Sequence, residues 1–399
     1  MWYAYKFNFI IRAIVLCIIS TVFCCCSMGC HIPKAEAPAE NQEIEAIVTE
    51  AKPLSSEITL VAVGDCLMHN TQIWSGQQAD GTYNFDCFFA EVQNLIKQGD
   101  YSSISFEAPL AGPESGYTGY PLFNSPDAVA QTFKRSGFDL VTTANNHAFD
   151  RGYPGAMRTL EVLRSSGLDT IGTYVSEEES KDFLIKDIRG VKVGYLAYSY
   201  GTNGIPIPAE KSYCFNLLDR DQILSDISKL RPQVDVLILI LHWGSEYMPQ
   251  PNPEQEDLAY EFLDAGADVI LGSHPHVIQP MKMIEINQQD KLILYSMGNI
   301  ISHQQGLERN SGIILEMKFS KNFDSKVTRL VEVRYTPTYS HSYYDENGHR
   351  KFRVVPVEKT LEDIKDGLEP FLTEKDIPLL QQVLESTTSQ LGENFRADV

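Results

Sequence analysis

Side chains of the kinds that bind metal ions follow five apolar segments of this chain. They are Asp65, Glu107, Asn146 with His147, His242, and the pair His274 and His276. Imidazole is a common metal ligand near neutral pH, and carboxylates and amides supply oxygen ligands. One polar residue after one strand is expected, because a strand emerges into water there. Five such positions along one chain predict a shared site.

The segments that precede these residues have the composition of buried β-strands. They are 58–65, 101–109, 138–147, 234–244 and 267–276. Helices are predicted between them. Ser125 as N-cap, Pro126 in the first turn and Gly137 past the end are typical of a helix. Similar signals in 152–167 and 252–266, and the apolar spacing in 88–100, indicate three more helices, and 183–200 predicts a hairpin.

The order of these elements predicts an α/β fold. The junctions SGFDLV, SGLDTI and AGADVI each lead from a helix through glycine into an apolar strand. Continuously apolar strands indicate sheets that are covered on both faces. In such folds, sites form beyond the carboxyl ends of the strands. The candidate ligands all stand at such ends, so we expect them to meet.

The donor set indicates which metals would suit the site. Carboxylate, amide and imidazole without thiolate favour Mn, Fe or Zn. Six candidate ligands exceed the four of a tetrahedral zinc site and suit two ions with water completing their coordination. Two ions about 4 Å apart can generate a hydroxide and hold both oxygens of a displacement reaction. Asp150 is predicted to orient His147 or to cap the following helix.

Each candidate also has an ordinary structural interpretation. His242 could be a core histidine, Asp65 a helix cap and Glu107 an isolated surface acid. Asn145 and Asn146 could form a turn. The site prediction therefore depends on the recurrence of these residues at successive strand ends.

Composition excludes some functions. The 399-residue chain has a formal net charge of -20. Nucleic acid is not an expected partner, because its phosphates require a basic surface. The body carries Cys66, Cys87 and Cys214, an odd number with no CxxC pair. Neither a disulfide framework nor a structural zinc ribbon is therefore indicated.

The N-terminal 31 residues have the composition of a leader. Lys6 and Arg12 precede an apolar run from Ala13 to Cys26. Three interpretations remain open: a secretory signal, a retained membrane anchor, or a lipoprotein leader with lipidated Cys30. Residues 32–56, rich in Ala, Glu and Pro, predict a disordered tether. A helical or lipid anchor would hold the body at the cell membrane, on its extracytoplasmic face.

The body is predicted to comprise residues 57–340, followed by a peripheral helical extension over 341–399. Gly298 and Asn299 end a further strand and could border the site or form a simple turn. Several aromatic residues stand in or near the loops after the strands and could line a substrate groove. They are Tyr117, Tyr120, Phe123 and Tyr247.

Five motifs together resemble one known family. VAVGDCLMH, SFEAPL, TANNHAFDRG, LHWGSEY and GSHPHVIQP occur in this order over roughly residues 57–305. They resemble the bacterial capsule-synthesis family of the CapA type, which is linked to poly-gamma-glutamate and related to the calcineurin-like metallophosphoesterases. The resemblance implies a metallophosphatase-like α/β/β/α sandwich with its site at the C-terminal ends of the strands.

The resemblance also implies roles for the candidate residues. The implied ligands are Asp65 for the first metal, Glu107 at the bridging position, Asn146 and His242 for the second metal, and His274 and His276 divided between the two. His147 would remain unligated and contact the leaving group or a phosphate oxygen.

The chain departs from the phosphoesterase pattern at two positions. Leu67 stands where those enzymes have a histidine, and the nearest histidine is His69. Glu107 replaces an aspartate. These departures leave open a weakly held single ion or an unusual use of His69.

The expected function is a membrane-tethered protein of capsule or cell-envelope polymer biosynthesis with a phosphoesterase-like metal site. Catalysis would be metal-assisted hydrolysis or transfer. Expected partners are an anionic polymer or phosphoester substrate, the membrane, and polymer synthase or export proteins. Two alternatives remain: a secreted metal-dependent phosphodiesterase unrelated to capsule, and a non-catalytic component of polymer assembly or export.

Overall fold

A computed structural model of the chain describes residues 54–397. The predicted leader and most of the tether lie outside these residues. The strands are β1 (Ser55–Cys66), β2 (Tyr101–Phe106), β3 (Leu140–Thr142), β4 (Asp169–Ile171), β5 (Leu184–Ile188), β6 (Val191–Ser199), β7 (Val236–His242), β8 (Val269–Ser273), β9 (Met281–Ile286), β10 (Gln289–Leu294), β11 (Asn299–Ile301), β12 (Ser311–Asn322), β13 (Val327–Tyr344) and β14 (Arg350–Pro356).

The helices alternate with the strands through most of the chain. They are α1 (Asn70–Gly76), α2 (Gln93–Ile96), α3 (Ala128–Ser136), α4 (Gly152–Ser165), α5 (Arg220–Leu230), α6 (Pro253–Ala265), α7 (Val357–Lys365) and α8 (Ile377–Leu391). Within residues 54–397, no helix is both long and apolar enough to span a membrane.

The strands form two sheets. The first has the order β14-β13-β12-β1-β2-β3-β4, and β11 pairs with the end of β1. Strands β1 to β4 run parallel, whereas β12, β13 and β14 add to them as antiparallel strands. The second sheet has the order β5-β6-β7-β8-β10-β9, with a parallel centre and antiparallel edges.

The two sheets share one buried core between them. Leu60 and Leu140 of the first sheet belong to the same apolar cluster as Val236 and Leu271 of the second. Helix α3 covers the outer face of the first sheet, and α5 and α6 cover the outer face of the second. Each fully buried Leu, Ile or Phe contributes about 1.5–3 kcal/mol. Two sheets that share a core, with helices on both outer faces, confirm the predicted α/β/β/α sandwich.

Local sequence explains where the helices end. Asn252 and Gln255 form a reciprocal capping box at the start of α6, and Pro253 occupies its first turn. Gly137 ends α3 with a φ of 105°, a left-handed conformation that glycine adopts without strain. The predicted N-cap role of Ser125 is wrong: α3 begins after Asp127, and the Ser125 hydroxyl has no hydrogen-bond partner among the described residues.

The long helix predicted over residues 88–100 is also wrong. This segment forms a 3-10 turn at Asp86–Phe88 and only the short helix α2. Its apolar residues Phe88, Phe89, Val92 and Ile96 are all buried in the outer core of the first sheet. Packing of these side chains onto the sheet overrides the helical spacing of the sequence.

The predicted boundary after residue 340 requires correction. Strand β13 crosses it, and β14 pairs with β13 from Arg350 to Pro356. Phe352 and Val354 of β14 are buried in the outer core of the first sheet. Only the segment from Val357 onward is mainly helical, because the preceding residues complete the sheet.

Candidate metal centre

The candidate residues meet beside the carboxyl ends of strands from both sheets. Asp65, Glu107 and Asn146 follow or end strands of the first sheet, and His242 and His274 those of the second. The backbone N–H of His274 donates to Oδ2 of Asp65 at 2.9 Å, which joins the two sheets directly at this point. All eight predicted site residues are buried, including His147, Asp150 and His276.

Glu107 lies at the centre of the cluster. Its Oε1 is 3.7 Å from Nε2 of His242, and its Oε2 is 3.8 Å from Nδ1 of His276. The residue is fully buried, and neither oxygen has a hydrogen-bond partner among residues 54–397. A buried carboxylate without partners costs free energy unless a cation or a proton compensates it. Glu107 is therefore either protonated or paired with a cation.

Asn146 and His242 face each other across the site. Oδ1 of Asn146 lies 2.8 Å from Nε2 of His242. The other ring nitrogen, Nδ1, lies 2.9 Å from the hydroxyl of Ser273, which holds the ring in place. The amide of Asn146 is held in turn, because its Nδ2 donates to Oδ1 of Asn203 at 3.1 Å. The Asn146 carbonyl oxygen and His242 Nε2 therefore both point into the cluster.

The loop after β8 presents His274 and His276 in an unusual backbone conformation. Their φ angles are 93° and 58°, in the left-handed region that non-glycine residues rarely adopt. Nδ1 of His274 is buried without a hydrogen-bond partner among the described residues. Nδ1 of His276 lies 3.1 Å from Oδ1 of Asn299 and 3.7 Å from Oδ2 of Asp65. Such strain is typical of residues that serve a site.

Glycine permits the close approach on which this loop depends. A Cβ atom at Gly272 would lie 1.8 Å from the carbonyl oxygen of Tyr295. Similarly, a Cβ at Gly64 would lie 2.0 Å from the carbonyl oxygen of Gly298, next to Asp65. Both strand ends therefore require glycine for reasons of space.

His147 forms a pair with Asp150 at one side of the cluster. Nδ1 of His147 lies 2.8 Å from Oδ2 of Asp150, so a proton on Nδ1 is donated to the carboxylate. The same oxygen accepts the backbone N–H of Phe123 at 2.7 Å, and the Phe123 ring packs edge-on against His147. This geometry matches the predicted orienting role of Asp150 and leaves Nε2 of His147 for other contacts.

Burial changes the protonation of the cluster in two opposite directions. It raises the pKa of Asp65 to about 6, although hydrogen bonds from His274 and Ser105 lower it. Burial and then the charge of Asp65 raise the pKa of Glu107 well above its ordinary value. Burial lowers the pKa of His274 to about 4 and that of His276 to about 3. Neutral imidazoles thus surround carboxyl groups that ionise reluctantly without a cation.

The residue types and their spacing are compatible with a metal ion. Ligand atoms of Glu107, His274 and His276 all lie within 4.8 Å of one another. Asp65 contacts His274 and His242 contacts Glu107, while Asn146 joins the group through His242. The predicted ligands are thus brought together, while their binding of metal stays a prediction.

Position 67 has a different role from the one that the phosphoesterase pattern would give it. Leu67 is buried in the outer apolar core with Cys66 and Met68. His69 precedes α1, where its Nδ1 lies 3.2 Å from Oε1 of Gln72. It lies outside the group formed by Glu107, His274 and His276.

Several residues of the site were not predicted. Tyr200 packs its ring 4.6 Å from that of His274, and Asn203 contacts both Asn146 and His147. Both belong to the loop after β6, another strand end of the second sheet. Asn299, which the sequence left as either a border of the site or a turn, contacts His276. The strand-end rule would have found the β6 loop if it had been applied to the hairpin.

Comparison with known proteins shows the family of the chain. Residues 59–304 match the family described as "Bacterial capsule synthesis protein PGA_cap". The chain belongs to this family. The capsule biosynthesis protein CapA of Bacillus anthracis is 29% identical over 273 residues, which cover 66% of this chain and 64% of that protein. The PGA biosynthesis protein CapA of Bacillus subtilis is 28% identical over 242 residues, or 59% of this chain and 62% of that protein.

The chain thus spans slightly less than two thirds of the length of these relatives. Solved structures with a similar arrangement include a 5'-nucleotidase precursor from Thermus thermophilus, with a TM-score of 0.44, 14% identity and coverage of 84% of this chain and 59% of that one. A phosphatase from Mycoplasma pneumoniae has a TM-score of 0.41 and 12% identity, covering 71% of this chain and 93% of that one.

Proposed function

We propose that this family member is a membrane-tethered, extracytoplasmic protein of capsule or cell-envelope polymer biosynthesis whose buried cluster binds two divalent ions. The polymer is a poly-gamma-glutamate-type anionic chain, as the family resemblance implies, and the Bacillus subtilis relative is named a PGA biosynthesis protein. The observation that carries the metal proposal is Glu107, a fully buried carboxylate whose two oxygens face His242 of β7 and His276 of the loop after β8 without a hydrogen bond.

The oxygen and nitrogen donor atoms of the cluster favour binding of Mn, Fe or Zn. Asp65 and His276 lie on one side of Glu107, and Asn146 and His242 lie on the other. His274 adds a buried ring nitrogen without a partner. Two bound ions would lower the pKa of a water molecule and polarise the oxygens of a phosphoryl or acyl group.

The residues around the cluster would then perform the remaining tasks. His147, whose Nδ1 is held by Asp150, can present Nε2 to a substrate oxygen and donate or accept a proton there. Asn203 fixes the amide of Asn146 and lies 3.4 Å from the His147 ring. Burial of the whole cluster excludes bulk water from the donors.

Metal analysis of the purified full-length chain tests the proposal. Wild type should contain close to two ions per chain after growth with Mn, Fe or Zn. The double variant His274→Ala/His276→Ala should lose them and abolish polymer production. His349→Ala is the matched control, because this histidine is exposed in a distant turn. A wild-type chain without metal, or unchanged polymer production by the double variant, would contradict the proposal.

Leu67 favours a second candidate function, a non-catalytic component of polymer assembly or export. This side chain is committed to the apolar core and leaves the phosphoesterase ligand set incomplete. On this hypothesis, a Glu107→Gln/His147→Ala variant still supports polymer formation at normal expression and membrane location. Loss of polymer under those conditions would exclude it and favour catalysis.

A further inference from the structure

A groove of about 400 Å³ lies next to the candidate metal centre. The wall nearer to the metal centre is formed by Tyr247, Val277 and Ile278. The opposite wall is formed by the turn Glu308–Asn310 and helix α8. The volume is in the range of small-molecule sites. The turn and α8 follow residue 304, where the family match ends, so part of the groove is built by chain outside that match.

Arg309 is the cation of this groove. Its guanidinium carbon lies 3.7 Å from the centre of the Tyr247 ring, which indicates stacking of the two groups. Within residues 54–397, the guanidinium forms no ion pair with a carboxylate. Glu308 also lines the groove, but it is exposed and forms no ion pair with Arg309, so this half-buried arginine is available to an external anion.

One side chain connects this arginine to the metal centre. Nδ2 of Asn299 donates to the backbone carbonyl of Arg309 at 2.7 Å, while Oδ1 of Asn299 lies 3.1 Å from Nδ1 of His276. The Tyr247 ring, on which the guanidinium stacks, lies 6.0 Å from the His276 ring. The guanidinium therefore has a fixed position relative to the candidate ligands.

We propose that this groove binds a γ-linked glutamate chain, with Arg309 pairing with one of its carboxylates while a neighbouring unit reaches the metal centre. This inference rests on the proposed function and names the subsite that holds the polymer. The planar guanidinium suits two-point pairing with a carboxylate. Val277 and Ile278 offer apolar contact to methylene groups, and Ser389 and Gln390 offer hydrogen bonds to amides.

Binding of a defined oligomer tests the subsite. The probe is a fluorescent pentamer of γ-linked glutamate, titrated with full-length protein and followed by anisotropy. Arg309→Ala should weaken binding at least tenfold, and Arg309→Lys should give an intermediate loss because a lysine cannot form the paired contact. Arg329→Ala should stay within twofold of wild type. Arg329 is an exposed arginine of β13 whose backbone pairs with Ser320 of β12. Ser320 lies near one end of β12, whereas Ser311, which lines the groove, lies at the other end.

Melting temperatures and metal content, measured on every sample, separate the two proposals. If the purified protein contains no metal but its pentamer affinity still depends on Arg309, the metal centre is refuted and the subsite is supported. If the protein contains its full metal content but Arg309→Ala binds the pentamer within twofold of wild type, only the subsite proposal is overturned. Absence of pentamer binding, or equal binding of a γ-linked glutamine pentamer, would also overturn it. Tighter binding of a glycerol phosphate oligomer would overturn the assignment of the polymer.

Discussion

The affinity for divalent metal is expected to decrease steeply as the pH is lowered, and the carboxyl groups are expected to control this decrease. A metal ion binds ionised Asp65, whose pKa burial raises to about 6. Because the metal-free group takes up a proton as the pH falls through this value, protons compete with the ion. His274 and His276 have pKa values lowered to about 4 and about 3, so they stay neutral above pH 5.

The size of the effect follows from these values. Between pH 7 and pH 5 the ionised fraction of Asp65 falls from about 0.9 to about 0.1, which weakens the apparent affinity about tenfold. Burial and the charge of Asp65 also raise the pKa of Glu107, so this group adds a further loss, which for one proton is at most about a hundredfold over two pH units. Two histidines with an ordinary pKa of about 6.5 would each add roughly 25-fold more.

Competition with a chelating indicator, carried out from pH 5 to pH 8, measures this dependence. Wild type should lose more than about tenfold and at most about 10³-fold in affinity between pH 7 and pH 5. Asp65→Asn should bind more weakly at pH 7 but with a slope smaller by about one proton, and His349→Ala should match wild type. A slope unchanged in Asp65→Asn, or a loss near 10⁵-fold, would refute the assignment of the protons to the carboxyl groups.

Three further variants test individual parts of the site. Asp150→Asn replaces the charged acceptor of His147 Nδ1 with a neutral amide, so polymer production should fall about 10- to 100-fold with unchanged metal content. Leu67→His puts a polar ring into the outer core, and denaturant unfolding should show a loss of about 2–4 kcal/mol without added metal. Gly64→Ala forces a Cβ against the Gly298 carbonyl, so the free energy of unfolding should fall by about 2 kcal/mol or more and the metal content should also fall. Gly201→Ala is the control: a Cβ there meets open space, so neither quantity should change.

The predictable part of the site follows from one rule about parallel strands. Asp65, Glu107 and His242 each end or follow an apolar segment, and the carboxyl ends of parallel strands meet at the same edge of a sheet. The rule therefore places Asp65 and Glu107 at one edge of the first sheet, whereas their meeting with His242 depends on the packing of the second sheet against it. The apolar strands by themselves predicted sheets covered on both faces, whereas the two-sheet sandwich was implied by the family resemblance.

The remaining part depended on contacts between distant segments. Asn299 reaches His276 because β11 pairs with the very end of β1, and no local pattern specifies that pairing. Arg309 acquires its place from Asn299 and Tyr247 together. The helix predicted at 88–100 failed for a related reason, since packing on the sheet determines the conformation of that segment.

The pairing of β1 with β12 has a consequence for how the protein reaches its folded state. Ser55 pairs with Asn322, so the central strand of the first sheet obtains one of its neighbours only from the far end of the chain. Closing so long a loop is slow, and we expect folding to be limited by this step. A chain that stops before β12 keeps β1 as an open edge, which can pair with another copy and aggregate. We therefore expect chains that end before β12 to be less soluble than chains that include it.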